Sequence, residues 1–274
     1  MENKILNLRR MPELTLYNGD CLEIMKELPE KSVDLIICDL PYGCLADQRT
    51  PNAEKEKATK ALYKKNSGGC SWDIKIDLKA FWEQVRRIRK NEHTPTIHFC
   101  TTKFGYELIQ SNEAEFRYDL VWDKQRGVSF LSANKMPMRS HEMIYVFSKA
   151  GAFYERKDIE GDFKANCGLK GRTGARQYGI TTDFKTPDNT GKRCALSVIQ
   201  HPTSASRGGH PTEKPPALYR FLIERYCPPG GTVLDPTFGS GNSVFTAYEM
   251  GRNGIGIEKD DKFFEKAAKK LNDL

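Results

Sequence analysis

Gly231-Thr232-Val233-Leu234-Asp235-Pro236-Thr237-Phe238-Gly239-Ser240-Gly241-Asn242 reads as a strand, a glycine-rich turn and the start of a helix. Gly239 and Gly241 let the backbone approach a ligand closely. The helix expected over 243–250, stopped by Gly251, presents unpaired N–H groups at its start to a carboxylate or phosphate. A further strand at 254–257 runs into Glu258, 19 residues after Gly239, where an acid is placed for ribose hydroxyls. The glycines lack the G-x-G-x-x-G spacing of a dinucleotide site. A cofactor with an adenosine and a carboxylate but no phosphate fits this loop better.

Outward from this stretch, β-branched apolar runs recur at 14–17, 33–38, 96–100, 118–122 and 142–147, which with 232–234 and 254–257 makes seven candidate strands. Leu78, Phe81, Trp82, Val85 and Ile88 form one apolar helical stripe opposite Arg86, Arg87, Arg89 and Lys90. Leu218, Phe221 and Leu222 form another, with Pro215 and Pro216 suited to its first turn. Strands alternating with helices predict an α/β fold, a mainly parallel sheet with helices on both faces.

A length of 274 residues fits one large α/β domain with a small insertion. The net charge of +7, from 43 Lys and Arg against 36 Asp and Glu, suits a polyanionic partner without requiring one. The amino terminus, MENKILNLRRMPELT, has no apolar core of signal-peptide length, and no stretch approaches a membrane span, so a cytoplasmic location is expected. The 8 cysteines are scattered, with no C-x-x-C and no His at zinc-ligand spacing. They read as reduced structural thiols, and no metal site is expected. Two regions break the α/β rhythm. Residues 44–73 are polar and Lys-rich, a long loop directly after a strand, and 151–209 lack periodicity. Within the second, 163–182 holds Lys164, Lys170, Arg172 and Arg176 and no acid. Loops this long in a compact domain are functional or disordered.

The candidate catalytic stretch is the strand 33–38 followed by Asp39-Leu40-Pro41-Tyr42-Gly43. Side chains at the carboxyl end of a parallel strand point into the crevice where α/β proteins bind ligands. Asp39 can accept a hydrogen bond from an amino group. The Leu40 carbonyl can accept another, because Pro41 holds Leu40 extended. Tyr42 offers a flat face for a heterocycle. Two acceptors beside an aromatic plate suit an exocyclic NH₂ on a base, although a plain turn after a strand remains an alternative for these residues alone.

At these residues the sequence resembles the amino-group DNA methyltransferases, specifically the β subclass, in which the catalytic motif precedes the cofactor motif. Asp39-Leu40-Pro41-Tyr42 resembles the family's Asp-Pro-Pro-Tyr motif, with Leu for the first proline. Asp235, Pro236, Phe238, Gly239, Ser240, Gly241 and Asn242 match its methionine-binding loop, and Glu258 its ribose acid. His210-Pro211-Thr212-Glu213-Lys214-Pro215 matches a segment that flanks the cofactor. Asn18-Gly19-Asp20-Cys21 resembles the motif whose Asp sits near the cofactor's adenine. Trp122-Asp123-Lys124 and His141-Glu142 resemble supporting motifs.

The resemblance implies a Rossmann-like methyltransferase fold of seven strands in which the strands near 232 and 256 pack beside the amino-terminal ones. It implies a catalytic half at 1–150, an irregular target-recognition insertion at 151–205 and a cofactor half at 206–274. S-adenosylmethionine is the implied cofactor, leaving as S-adenosylhomocysteine, and adenine N6 in double-stranded DNA, on a flipped-out base, is the implied target. Lys124, Arg126, Arg139, Lys170, Arg172 and Arg176 are the candidate DNA contacts, with Lys135 beside them. A homodimer and a cognate restriction endonuclease are further partners the resemblance allows. The nearest alternative changes only the target, to cytosine N4 or to an amino group in RNA or protein. A nucleotide-dependent oxidoreductase leaves residues 39–42 unexplained, and a DNA-binding module without activity needs neither motif.

Overall fold

The computed structural model describes residues 11–42, 75–128, 130, 133–160, 192–203 and 213–273. Its strands are β1 (Leu14–Asn18), β2 (Leu35–Cys38), β3 (Thr96–Cys100), β4 (Phe116–Val128), β5 (Arg139–Phe147), β6 (Ile159–Glu160), β7 (Lys192–Arg193), β8 (Val198–Gln200), β9 (Thr232–Asp235) and β10 (Asn253–Glu258). The helices are α1 (Cys21–Glu27), α2 (Leu78–Ile88), α3 (Thr102–Ser111), α4 (Pro216–Tyr226), α5 (Asn242–Glu249) and α6 (Asp261–Asn272). The chain divides into two compact units, one of residues 1–155 and 197–274 and one of residues 156–196. In the smaller unit β6 and β7 pair antiparallel.

The larger unit holds one sheet of eight strands in the order β1-β10-β9-β2-β3-β5-β4-β8. The carboxy-terminal strands are threaded between amino-terminal ones, β10 against β1 and β9 against β2, both parallel. Only β5 runs against its neighbours β3 and β4. The other strands therefore deliver their carboxyl ends to one edge of the sheet.

Residues of β2 are buried throughout, as a central strand covered on both faces requires. Ile36 and Cys38 pack with Met25 of α1, with Phe81, Trp82 and Val85 of α2, and with Phe104 of α3. Leu35 and Ile37 point the other way, to Leu218, Leu222 and Ile223 of α4. The apolar stripe expected on α2 is the buried one, its Phe81, Trp82, Val85 and Ile88 all facing the sheet. Asp77 caps this helix by accepting from Lys79 and Ala80 N–H. Pro216 opens α4.

The structure departs from the sequence reading in three ways. An eighth strand, β8, pairs parallel with β4 and contributes a single buried side chain, Ile199, too short a run for an apolar pattern. The β4–β5 hairpin extends beyond 118–122 and 142–147 into mostly polar residues, which carry no apolar signal. Helices α1, α3 and α6 were not expected from their sequences; α6 buries only Ala267. Among the described residues no helix is long and apolar enough to cross a membrane.

His98 on β3 is completely buried, ringed edge-on by Phe81, Trp82 and Phe147, and neither ring nitrogen has a hydrogen-bond partner. Burial pushes its pKa down to about 3. Below the ordinary histidine pKa the unfolded chain takes up a proton that the folded one refuses, so stability is lost as pH falls from about 6.5 toward 3. We expect His98→Phe to remove about 2 kcal/mol of the stability difference between pH 7 and pH 5, read from urea unfolding at both pH values. An unchanged difference would mean that His98 is not the neutral core residue the packing makes it.

Candidate active site

The parallel register of β2 and β9 sets Leu35 opposite Val233 and Ile36 opposite Leu234, so the loops beginning at Asp39 and Asp235 leave adjacent strand ends. The Thr237 hydroxyl donates to the Asp39 carbonyl at 3.2 Å and ties the two loops together. Leu40 is buried in the core, which anchors the loop after β2 from its inner side. Pro41 and Tyr42 are half-buried.

Asp39 is held from both sides. Tyr42 donates its hydroxyl to Oδ1 at 2.7 Å, and the Lys214 ammonium donates to Oδ2. The Tyr42 ring lies 5.0 Å from that of Phe104, tilted by 34°. Lys214 is 3% exposed and sits 4.8 Å over the Phe99 ring, a position an unpaired ammonium could not occupy. Burial works against its charge, but Asp39 and Glu142 outweigh burial and raise its pKa above the ordinary lysine value. Glu142 on β5 lies 3.7 Å from that ammonium and also pairs with Lys124 of β4. Burial pushes the Glu142 carboxyl up, and the cations Lys214, Lys124 and Arg139 more than reverse this.

The glycine turn is built around Asp235. Its Oδ1 accepts from Thr237 N–H at 3.0 Å and its Oδ2 from the Ser243 hydroxyl. Burial is the main cause that lifts the Asp235 pKa to about 7; those two bonds oppose it, and Asp39 and Glu258 add to it. Gly239 and Gly241 have φ of 54° and 79°, the left-handed region that other residues rarely enter. Pro236, Phe238 and Gly241 are buried and Ser240 half-buried. Asn242, the first residue of α5, donates to Glu213 Oε1 at 2.7 Å and to the Lys214 carbonyl at 2.9 Å. The backbone of Lys214 thus borders the glycine turn while its ammonium reaches the loop at Asp39.

Glu258 accepts from Gly239 N–H at 2.9 Å and from Asp260 N–H at 2.8 Å, and burial first among the causes raises its pKa. Gly19 N–H donates to the Glu258 carbonyl, which brings Asp20 beside the same strand end. Asp20 caps α1 through Leu22 N–H and pairs with Lys259 at 3.0 Å. Burial works against its charge, and Lys259 leads the contacts that lower its pKa. The edge therefore carries Asp20, Glu258, Asp235 and Asp39 in the strand order β1, β10, β9, β2. A row of acids with one buried lysine suits a cationic cofactor and not a phosphate-bearing one. The glycine backbone at the start of α5 can receive its carboxylate.

Not every expected site residue is among the described ones. His210, Thr212, Lys170, Arg172 and Arg176 lie outside the described residues, as do 43–74 of the loop. Arg126 is exposed and Arg139 half-buried, its Nε donating to the His141 carbonyl at 3.0 Å. Lys124 needs correction as a DNA contact: it is buried and its ammonium is committed to Glu142, so it is not a free cation for phosphate. Lys214, expected at the cofactor, has its charge on Asp39. The sequence reading named Glu142 only within a supporting motif and passed over Thr237. For Glu142 the signal was an acid directly before the apolar run 143–147.

The DNA methylase family, N6_N4_Mtase, matches residues 33–270. The type II methyltransferase M.HinfI of Haemophilus influenzae is 25% identical over 271 residues, 95% of this chain and 68% of the relative. M.XycI of Xanthomonas campestris pv. cyanopsidis is 24% identical over 296 residues, 94% of this chain and 87% of the relative. Among solved structures, the cytosine-N4-specific PvuII DNA methyltransferase superposes with a TM-score of 0.60 at 15% identity, over 96% of this chain and 91% of that one. The M1.HpyAVI–SAM complex gives 0.55 at 21% identity, over 94% and 99%. These two carry the same Rossmann-like methyltransferase fold. The strand leading to Asp39, the glycine turn and all that lies between fall inside the family match, and the chain belongs to the family of amino-group DNA methyltransferases.

Proposed function

We propose that this protein transfers the methyl group of S-adenosylmethionine to N6 of adenine in double-stranded DNA, directly, on a base turned out of the helix. The observation that carries this reading is the acceptor loop 39–42 hydrogen-bonded through Thr237 to the glycine turn 235–241. Both loops rise from adjacent strand ends, so an amino group on Asp39 lies next to a cofactor on Gly239. The bound cofactor supplies an electrophilic methyl and a neutral thioether leaving group. Asp39 and the Leu40 carbonyl accept from the amino group and turn the nitrogen lone pair toward the methyl; the N–C bond forms as the C–S bond breaks, and the excess proton on nitrogen leaves to water. Tyr42 lends its ring to the base, recovering part of the unstacking cost of a few kcal/mol. Asp at position 39 in place of Ser favours adenine over cytosine.

Asp235 and the start of α5 receive the amino-acid end of the cofactor, and Glu258 the ribose. Arg126 and Arg139, beside Lys135 on the β4–β5 hairpin, meet the DNA backbone at the edge where Asp39 lies. Residues 151–205, with Lys170, Arg172 and Arg176, serve as the target-recognition region. The type II relatives make a cognate restriction endonuclease the natural partner.

Asp39→Ala is expected to lower kcat by about a hundredfold or more, the cost of one transition-state acceptor, with S-adenosylmethionine affinity by calorimetry within about threefold of wild type. Turnover within about tenfold of wild type contradicts the assignment.

A second expectation concerns pH. With Asp235 at about 7, its carboxylate is present above that pH and lost below it. Affinity for S-adenosylmethionine should therefore fall as pH drops from 8 to 6, by about tenfold beyond any fall seen in Asp235→Asn. Parallel pH profiles for the two proteins would remove Asp235 from the cofactor's contacts.

A further inference from the structure

A buried row of alternating charge leads away from Asp39 and has no part in the reaction as written above. Lys214 precedes α4, Glu142 stands on β5 and Lys124 on β4. Their side chains are 3%, 19% and 11% exposed. The fold does not demand such a row. Replacing buried ion pairs by apolar side chains of similar volume is often neutral or stabilising, whereas removing one partner alone is costly.

The contacts are unequal in an informative way. Glu142 Oε1 bonds Lys124, while Oε2 makes no hydrogen bond among the described residues and faces the Lys214 ammonium across 3.7 Å. That separation attracts the ammonium without drawing it off Asp39, to which it is directly bonded. With Tyr42 on the opposite oxygen, the Asp39 carboxylate is fixed at both ends.

We propose that Glu142 is a positioning residue for methyl transfer: it pins the Lys214 ammonium on Asp39, so that Asp39 meets the target amino group in one orientation and with its charge balanced. This rests on the reading of Asp39 as the acceptor of that amino group.

Among the described residues, the remaining groups facing the row are Tyr42, Arg139, Cys38, Cys100, Asp235 and Tyr219. Burial lifts the thiols and phenols, Cys100 to about 12, and Asp235 titrates near 7. Arg139 is a fixed cation. A loss of activity on the alkaline side therefore reports on Lys214, whose charge Glu142 helps to hold.

The test is Glu142→Gln, with kcat, KM for S-adenosylmethionine and the pH profile measured on the full chain with duplex DNA. We expect kcat about ten- to a hundredfold lower and KM for the cofactor within about twofold. We also expect a fall in kcat with rising pH that wild type lacks, because Lys214 has lost an anion that raised its pKa. Added to Lys214→Met, Glu142→Gln should cost nothing further, since it acts through that ammonium. If the single variant does not fold, Glu142→Met with Lys124→Leu removes both outer charges together and should show the same alkaline fall. A folded Glu142→Gln with wild-type kcat and pH profile overturns the proposal, as do losses that simply multiply in the double variant. An active Asp39→Ala instead overturns the acceptor reading beneath it; an inactive one beside an unaffected Glu142→Gln overturns this inference alone.

Discussion

A strand buried on both faces can present a polar side chain only where it leaves the sheet, and the rest of the site depends on this constraint. Leu35 to Cys38 are packed above and below, and Asp39 is the first residue free to meet a ligand. Its charge has to be balanced there, because the surroundings are core. Lys214 supplies the balance, and the chain returns from nearly the far end of the sequence to provide it. The same return brings β9 against β2, so the acceptor and the glycine turn become neighbours through one pairing.

The two halves of the site differ in electrostatic character. On the cofactor side, Asp235 and Glu258 are acids whose burial favours the neutral form, satisfied by backbone N–H groups and a serine hydroxyl. They gain from a cationic ligand. On the proposed base side, Asp39 is already paired, and what it would offer a substrate is geometry. A hydrogen bond from a neutral amino group asks for a placed acceptor, and Lys214 and Tyr42 place it. Thr237 keeps the two sides in register through a bond to the Asp39 backbone, which a change of side chain at 39 leaves intact.

Elements that face the core on a regular period were legible in the sequence: α2 from its stripe, the central strands from their apolar runs, the glycine turn from its spacing. Elements lacking such a period were not. Helix α6 buries one residue, β8 is three residues long, and the outer part of the β4–β5 hairpin is exposed. The places of Asp39, Asp235, Gly239 and Glu258 at strand ends and turns were legible, and their roles are those proposed above. The charge row was not, since Lys124 looks like any surface lysine until the fold lays it on Glu142. A basic residue beside a recognised motif reads as a nucleic-acid contact by composition and as a counterion only by position. Lys214 was assigned to the cofactor for a related reason: its backbone is there and its charge is elsewhere.

The most direct test is to incubate the purified protein with unmethylated duplex DNA and S-adenosylmethionine carrying a labelled methyl group, digest the DNA to nucleosides, and identify the labelled one by mass spectrometry. The account predicts N6-methyladenosine in its deoxy form as the labelled product. Label in N4-methyldeoxycytidine, with none on adenine, would contradict the assignment of target.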